Sequence, residues 1–268
     1  MTEAGTQSGW FDCGVNLFSQ QFAGIEQQIW QRAQHAGVNN MLLIGSDIGE
    51  SRQNQQFCSS HPGCYTTAGV HPHQAGNVAA EWLGQLRQLL ALPAVVAVGE
   101  CGLDFNRDFS PRSEQQHVFA SQLQLAKQLQ MPVYLHERDA FATQFAMLQE
   151  QQINHGVAHC FTGDSNQLKA YLDLGLYIGV TGWVCDERRG QSLQQAIQYL
   201  PLDRILLETD APYLLPRTIK PRPKNNEPAL LPAIAAEICR LKSISSQQLA
   251  GSTTENARRL FRLSGLQA

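Results

Sequence analysis

Eight short apolar runs, separated by stretches with helical periodicity, are the feature that most limits how this chain can fold. Several runs are nearly continuous in aliphatic and β-branched residues, which is typical of strands buried on both faces of a parallel sheet. The predicted strands span residues 11–17, 40–46, 65–70, 95–99, 132–136, 157–161, 177–184 and 205–209.

Amphipathic stretches between these runs predict the helices of repeated strand–helix units. They span residues 24–36, 50–60, 80–91, 113–129, 139–150, 165–174, 190–199 and 228–241. A ninth helix is predicted at 253–263, packed on the outside, with capping residues within 252–256. Eight such units in 268 residues indicate an α/β chain folded as a closed (β/α)8 TIM barrel, with residues 1–268 as one domain.

Composition narrows the class of protein and its compartment. The formal charge of −3 gives no global basic field, so a nucleic-acid partner would need local positive groups or metal ions. The seven cysteines form no CxxC pair, which favours reduced thiols over a zinc–thiolate site. The polar first ten residues and the lack of long apolar runs predict a cytoplasmic protein that does not contact membranes.

Ionisable residues lie at or just after the C-terminal ends of five predicted strands, which is where active sites of such barrels are found. They are His71 and His73, Glu100 and Asp104, His136 with Arg138 and Asp139, His159, and Glu208 with Asp210. One histidine at a strand end is usually structural, but gathering so many charges is costly unless a cation or substrate compensates. Mixed nitrogen and oxygen donors suit Mg²⁺, Mn²⁺ or Zn²⁺. Neither a GxSxG motif nor a Walker A loop is present.

The motifs at these strand ends resemble those of the TatD family of metal-dependent deoxyribonucleases, within the amidohydrolase-like barrels. They run along most of the chain: AGVHPH at 68–73, GECGLDF at 99–105, MPVYLHERDA at 131–140, AHCFTG at 158–163, GWVCDERRG at 182–190, ETDAPYLLPR at 208–217, NEPALLP at 226–232 and TTENARRLF at 253–261.

The resemblance implies a role for each strand-end residue. The implied metal ligands are Glu100, His136, His159 and Asp210. Glu100 would bridge two ions, the two histidines would complete one site, and Asp210 would bind the other ion and activate water. His71 would act beside the scissile phosphate, with Arg138 as a substrate contact.

The chain departs from the wider family at the first strand. Many members carry His-x-His there, whereas this sequence has Gly14 and Asn16. Asn16 offers a neutral carbonyl oxygen to an ion or to substrate. We therefore expect two divalent ions with the first site weakened, which suits Mg²⁺ best and leaves Mn²⁺ or Zn²⁺ as alternatives.

The family resemblance implies a 3′→5′ exonuclease acting on single-stranded DNA, with RNA as a second substrate and a role in DNA repair. A local group of basic residues supports an anionic substrate. The last strand is followed by Arg217, Lys220, Arg222 and Lys224, with no acidic residue among them. Arg217 is the predicted substrate contact among them, and we expect a monomer. Two alternatives stay open: a metal-dependent hydrolase of small-molecule or aminoacyl esters and amides, and a non-catalytic nucleic-acid-binding protein with a degenerate metal site.

Overall fold

A computed structural model describes residues 9–263 and contains one sheet of eight parallel strands in sequence order. The strands are β1 (Trp10–Val15), β2 (Val38–Leu43), β3 (Cys64–Ala68), β4 (Val95–Asp104), β5 (Val133–Arg138), β6 (Gly156–Ala158), β7 (Tyr177–Val180) and β8 (Ile205–Leu207). The sheet closes where Asn16 N donates to Ala211 O at 2.8 Å and Asp210 N donates to Gly14 O at 2.8 Å. The predicted TIM barrel is confirmed.

Nine α-helices occur in the described part of the chain, and eight of them connect or follow successive strands. They are α1 (Glu26–His35), α2 (Ile48–Ser59), α3 (Trp82–Leu90), α4 (Arg112–Leu129), α5 (Phe141–Glu150), α6 (Ser165–Asp173), α7 (Gln191–Tyr199), α8 (Leu231–Lys242) and α9 (Ser246–Phe261). Local capping explains some starts: Asp47 accepts from Glu50 N before α2, and Asp164 forms a capping box with Gln167 before α6.

Two strands differ from the prediction in a way that matters for the site. Strand β4 continues to Asp104 instead of ending at residue 99, so Glu100 lies within the strand. Gly99 makes this path possible because its φ is +146°, and a Cβ there would lie 2.3 Å from the Tyr134 carbonyl oxygen. Strand β7 ends at Val180, and a short 3-10 turn at Gly182–Cys185 follows in place of further strand.

The barrel interior forms its own apolar cluster, separate from the layer between barrel and helices. Its members include Phe11, Leu42, Ala97, Tyr134, Val157, Tyr177 and Leu206, together with Ala257, Leu260 and Phe261 of α9. Helix α9 therefore covers the N-terminal end of the barrel, a more specific position than the predicted packing on the outside. Thr254 Oγ1 donates to Gly9 O at 3.1 Å, just before β1, which fixes the helix at that end.

The predicted start of this last helix is wrong. Helix α9 begins at Ser246, and the Ser245 hydroxyl caps it by accepting from Gln248 N. Thr253 lies inside the helix, where its hydroxyl donates to Leu249 O at 2.9 Å instead of capping. The single-domain organisation stays a prediction, and residues 1–8 and 264–268 of its span lie outside the described residues.

Candidate active site

The polar strand ends meet at the C-terminal mouth of the barrel, where Glu100 is the central group. Its Oε1 lies 2.9 Å from His136 Nδ1, 3.7 Å from His71 Nε2 and 3.8 Å from His159 Nε2. Three strand ends, those of β3, β5 and β6, thus present imidazoles to one carboxylate oxygen of β4. The predicted convergence of these residues is present in the structure.

Asp210 lies on the far side of His159 from β4. Its Oδ1 is 3.8 Å from His159 Nε2 and accepts a hydrogen bond of 2.9 Å from Asn16 Nδ2. Asp210 has a left-handed backbone, with φ of +54°, three residues after β8 ends. Asn16 thereby orients the Asp210 carboxylate, a contact that the sequence did not predict.

Gly14 shows why β1 brings no histidine to the site. A Cβ at this position would lie 2.6 Å from the Tyr134 hydroxyl oxygen, so that hydroxyl occupies the space a side chain would need. The hydroxyl lies 3.0 Å from Cys13 O and 2.7 Å from His159 Nδ1. Tyr134 of β5 therefore fills the space beside β1.

Glu208 fixes the orientation of His159 from behind. It is fully buried, its Oε2 accepts from His159 Nδ1 at 2.8 Å and from Cys160 N at 2.9 Å, and Tyr134 Oη lies 3.2 Å from its Oε1. Because Nδ1 is held in this way, Nε2 faces Glu100 and Asp210. The sequence marked Glu208 as a strand-end acid but gave it no role.

Asp104 and His73 form a second layer beside His136. His73 Nε2 lies 2.7 Å from Asp104 Oδ2, and His136 Nε2 lies 3.4 Å from the same oxygen. Yet His136 Nε2 is buried and has no hydrogen-bond partner among residues 9–263. An unsatisfied buried nitrogen within a cluster of carboxylates is what a site built for a cation would leave.

The pKa values show that the cluster favours cations. Burial opposes protonation of His136, but the nearby carboxylates of Asp104 and Glu100 outweigh it and raise the pKa to about 9. Burial likewise opposes charge on His159, and Glu208 overcomes it to raise that pKa to about 10. Burial raises the pKa of Asp210 to about 6 against the opposing effect of His159.

Glu100 and His71 shift in the opposite direction. Burial disfavours ionisation of Glu100, but the imidazoles around it, including the hydrogen-bonded His136, outweigh it and hold the pKa of Glu100 well below its usual range. Burial lowers the pKa of His71 to about 3 despite the nearby Glu100. His71 is therefore neutral at pH 7, the form in which an imidazole binds a metal ion.

The donor atoms fit divalent cations. Nitrogen and oxygen atoms of His71, Glu100 and His136 lie within 4.8 Å of one another, as do the donor atoms of His159, Cys160 and Asp210. This grouping differs from the prediction, which placed His136 and His159 together and gave His71 a catalytic role only. Burial raises the pKa of Cys160 well above its ordinary value, which disfavours the thiolate, and the other donors of both groups are imidazoles and carboxylates.

The predicted substrate contacts lie farther out. Arg138 is exposed at the end of β5. Every second residue of a strand points to the same face, so Arg138 lies on the inward-facing side with Tyr134 and His136, nearest the mouth of the barrel. Arg217 lies in the segment that follows β8. Its Nε is 4.0 Å from Oδ1 of Asp186, which follows β7. Asp186 also pairs with Arg189. The contact between Arg217 and Asp186 offsets part of the positive charge predicted for the segment after β8.

No helix among residues 9–263 combines the length and apolar character needed to cross a membrane.

Comparisons with known proteins agree with the fold and show the family. The family model described as "TatD related DNase" matches residues 11–262. The chain is 50% identical over 260 residues to "3'-5' ssDNA/RNA exonuclease TatD" of Rahnella sp., covering 95% of this chain and 98% of that protein. It is 48% identical to the protein of that name from Pantoea vagans, with 94% and 99% covered.

A solved structure is similar over the same extent. The crystal structure of YJJV, a TatD homologue from Escherichia coli K12, has a TM-score of 0.88 and 29% identity and covers 95% of this chain and 98% of that one. The predicted resemblance and the nuclease class that it implied are confirmed. The chain belongs to the family of TatD-related DNases.

Proposed function

We propose that this protein is a metal-dependent 3′→5′ exonuclease that hydrolyses phosphodiester bonds of single-stranded DNA, with RNA as a second substrate. The observation that supports this most directly is the convergence of three imidazoles on Glu100 beside Asp210. It occurs in a chain 50% identical to a protein named for that activity.

We propose Glu100, His136, His159 and Asp210 as the metal ligands. Mg²⁺ is the preferred candidate, with Mn²⁺ and Zn²⁺ as alternatives, because carboxylates and open positions for phosphate oxygens suit a hard cation. The ion held by Glu100 and Asp210 should be the weaker of two, since Gly14 offers no ligand from β1. When bound, divalent cations stabilise the charge that develops on a phosphoryl group and make water more acidic.

The other site residues bind substrate or move a proton in this proposal. Asp210, oriented by Asn16, accepts the proton of the attacking water. His71, neutral and close to Glu100, contacts the scissile phosphate, and the Arg138 guanidinium balances a nonbridging oxygen. Arg217 on the rim binds the phosphate backbone of the nucleic acid, farther from the bond that breaks.

Degradation of end-labelled oligonucleotides tests this function. A 5′-labelled single strand with Mg²⁺ should shorten progressively from its 3′ end, a blunt duplex should be cut more slowly, and EDTA should stop both reactions. Turnover of lactones or N-acyl compounds, with intact oligonucleotides, would favour the small-molecule alternative. Binding without cleavage at any Mg²⁺ or Mn²⁺ concentration would favour the non-catalytic one.

The monomeric state, the cytoplasmic location and the role in DNA repair stay predictions. Gel filtration, cell fractionation and the sensitivity of a deletion strain to DNA damage would test them in turn.

A further inference from the structure

Phe109 is an apolar side chain left in water at the mouth of the barrel. It lies in the loop between β4 and α4 and is 66% exposed; among large hydrophobic residues in 9–263, only Tyr199 is more exposed. One neighbour of its ring is the imidazole of His73, with centroids 4.7 Å apart and planes at 69°. The rest of the ring faces outward, where it is free to contact a ligand.

The loop holds Phe109 in this exposed position. The adjacent Ser110 is buried, its hydroxyl donates to His73 O at 2.9 Å, and it accepts from Gly76 N at 2.9 Å. At the start of the loop, Asp104 Oδ1 accepts from the backbone N of Arg107 at 2.8 Å. These bonds fix the backbone on both sides of Phe109, so its exposure is built into the fold.

A short chain of contacts joins Phe109 to the proposed metal ligands. Beyond the His73 ring lies that of His71, with centroids 4.3 Å apart, and His71 Nε2 is 3.7 Å from Glu100 Oε1. Two imidazoles thus separate the exposed ring from the central carboxylate.

Two exposed arginines lie on segments close to this ring in the fold. Arg107 in the same loop and Arg138 at the end of the neighbouring strand β5 are both exposed, and neither side chain forms an ion pair or hydrogen bond within the described region. Arg112, by contrast, is paired with Asp108 at 2.8 Å. An exposed aromatic ring and unpaired cations at the same end of the barrel are a combination that binds single-stranded nucleic acid, by stacking on bases and attracting phosphates.

We propose that Phe109 is a stacking platform for an unpaired base of the substrate, next to the phosphate held at Glu100. This rests on the proposed nuclease function and names the feature that makes the site select single strands. A base within a duplex is paired and stacked on both sides, so it must leave the helix before it can reach Phe109. The platform accepts any base, because every base offers a π-face.

The test compares Phe109→Ala, Phe109→Leu and Phe109→Trp with the wild-type full chain and a matched control. Tyr199→Ala is the control, since Tyr199 is 77% exposed at the end of α7, at the opposite end of the barrel. Melting temperatures should be unchanged in all variants, as none of the altered side chains is buried. Initial rates with Mg²⁺ are measured on a single-stranded oligonucleotide and on the same strand with its two 3′-terminal nucleotides abasic.

For the normal strand, Phe109→Ala and Phe109→Leu should each raise KM about tenfold with little change in kcat, and Phe109→Trp should keep the wild-type KM. For the abasic strand, all variants should match the wild type, because no base is present to stack. An unchanged KM in Phe109→Ala, or an equal rise on both strands, would overturn the proposal.

A binding measurement separates this proposal from the nuclease function itself. Fluorescence anisotropy of the labelled normal and abasic strands, made with nuclease-resistant phosphorothioate linkages and with Mg²⁺ present, gives Kd for each variant whether or not the natural strands are cleaved. If the wild type binds but does not cleave, the exonuclease proposal fails. A Kd that rises about tenfold in Phe109→Ala for the normal strand alone would then still support the platform, and equal Kd values would reject it.

Discussion

The buried acid behind His159 allows a prediction whose size follows from its contacts. In Glu208→Gln the amide oxygen should take the position of Oε2, where it faces two donors, His159 Nδ1 and Cys160 N. The amide nitrogen then faces the Tyr134 hydroxyl, which can accept while donating to Cys13 O. The number of hydrogen bonds is kept, and what is lost is the negative charge on the acceptor.

We expect the His159 ring to be oriented less firmly and to be less basic. A charged acceptor strengthens a hydrogen bond by about 1 kcal/mol over a neutral one, so two such bonds give about 2 kcal/mol, or about a thirtyfold loss. Nuclease rates measured across a Mg²⁺ or Mn²⁺ titration should show a half-saturating metal concentration about thirtyfold higher in Glu208→Gln. This lies within the range seen when partners of metal-bound histidines are replaced.

Glu237→Gln on α8 is the matched control, because this glutamate pairs with Arg240 at the surface. It should titrate like the wild type. If Glu208→Gln also kept the wild-type metal affinity and maximal rate, with an unchanged melting temperature, then Glu208 would not tune His159 and the argument would be refuted.

Further predictions concern the ligands, pH and the first strand. His136→Ala and Asp210→Ala should each abolish Mg²⁺-dependent cleavage while circular dichroism stays that of the wild type; full activity in both would reject the site. With chelator present, the raised pKa values of His136 and His159 mean that the folded state binds protons more tightly than the unfolded chain. The melting temperature should therefore fall between pH 6.5 and 9, less steeply in His159→Ala, and a flat profile for the wild type would contradict this. Gly14→Ala should lower the free energy of unfolding by about 1–3 kcal/mol in denaturant titrations, because the added Cβ meets the Tyr134 hydroxyl. The loss should be smaller when Gly14→Ala is made in a Tyr134→Phe background. Equal losses in both backgrounds would argue against that contact.

The barrel and the convergence of its polar strand ends were predictable because both follow from local patterns. Nearly continuous apolar runs predict strands buried on both faces, and parallel strands in a barrel bring their C-terminal ends together. Glu100, His136 and His159 each come from a different strand, yet the order of strands alone predicts that they meet. The extent of β4 was underestimated, because the glycines at 99 and 102 allow the strand to continue to Asp104.

The contacts that tune the site could not be predicted, because they join residues far apart in the chain. The pair of Glu208 and His159 spans 49 residues, and the bond from Tyr134 to Cys13 O spans 121. No spacing in the sequence distinguishes these partners from other buried polar groups. Tyr134 carried one usable signal: it lies two residues before His136 on β5 and therefore on the same inward side.

The position of α9 has a consequence for how the barrel is assembled. Phe261 and Leu260 share a cluster with Phe11 of β1, and Thr254 is bonded to Gly9, a separation of 245 residues. The interior therefore stays open to water at its lower end until both distant parts of the chain have met. Folding that depends on such distant pairings is slow and all-or-none, so a chain cut before residue 246 should fail to fold instead of forming a smaller barrel.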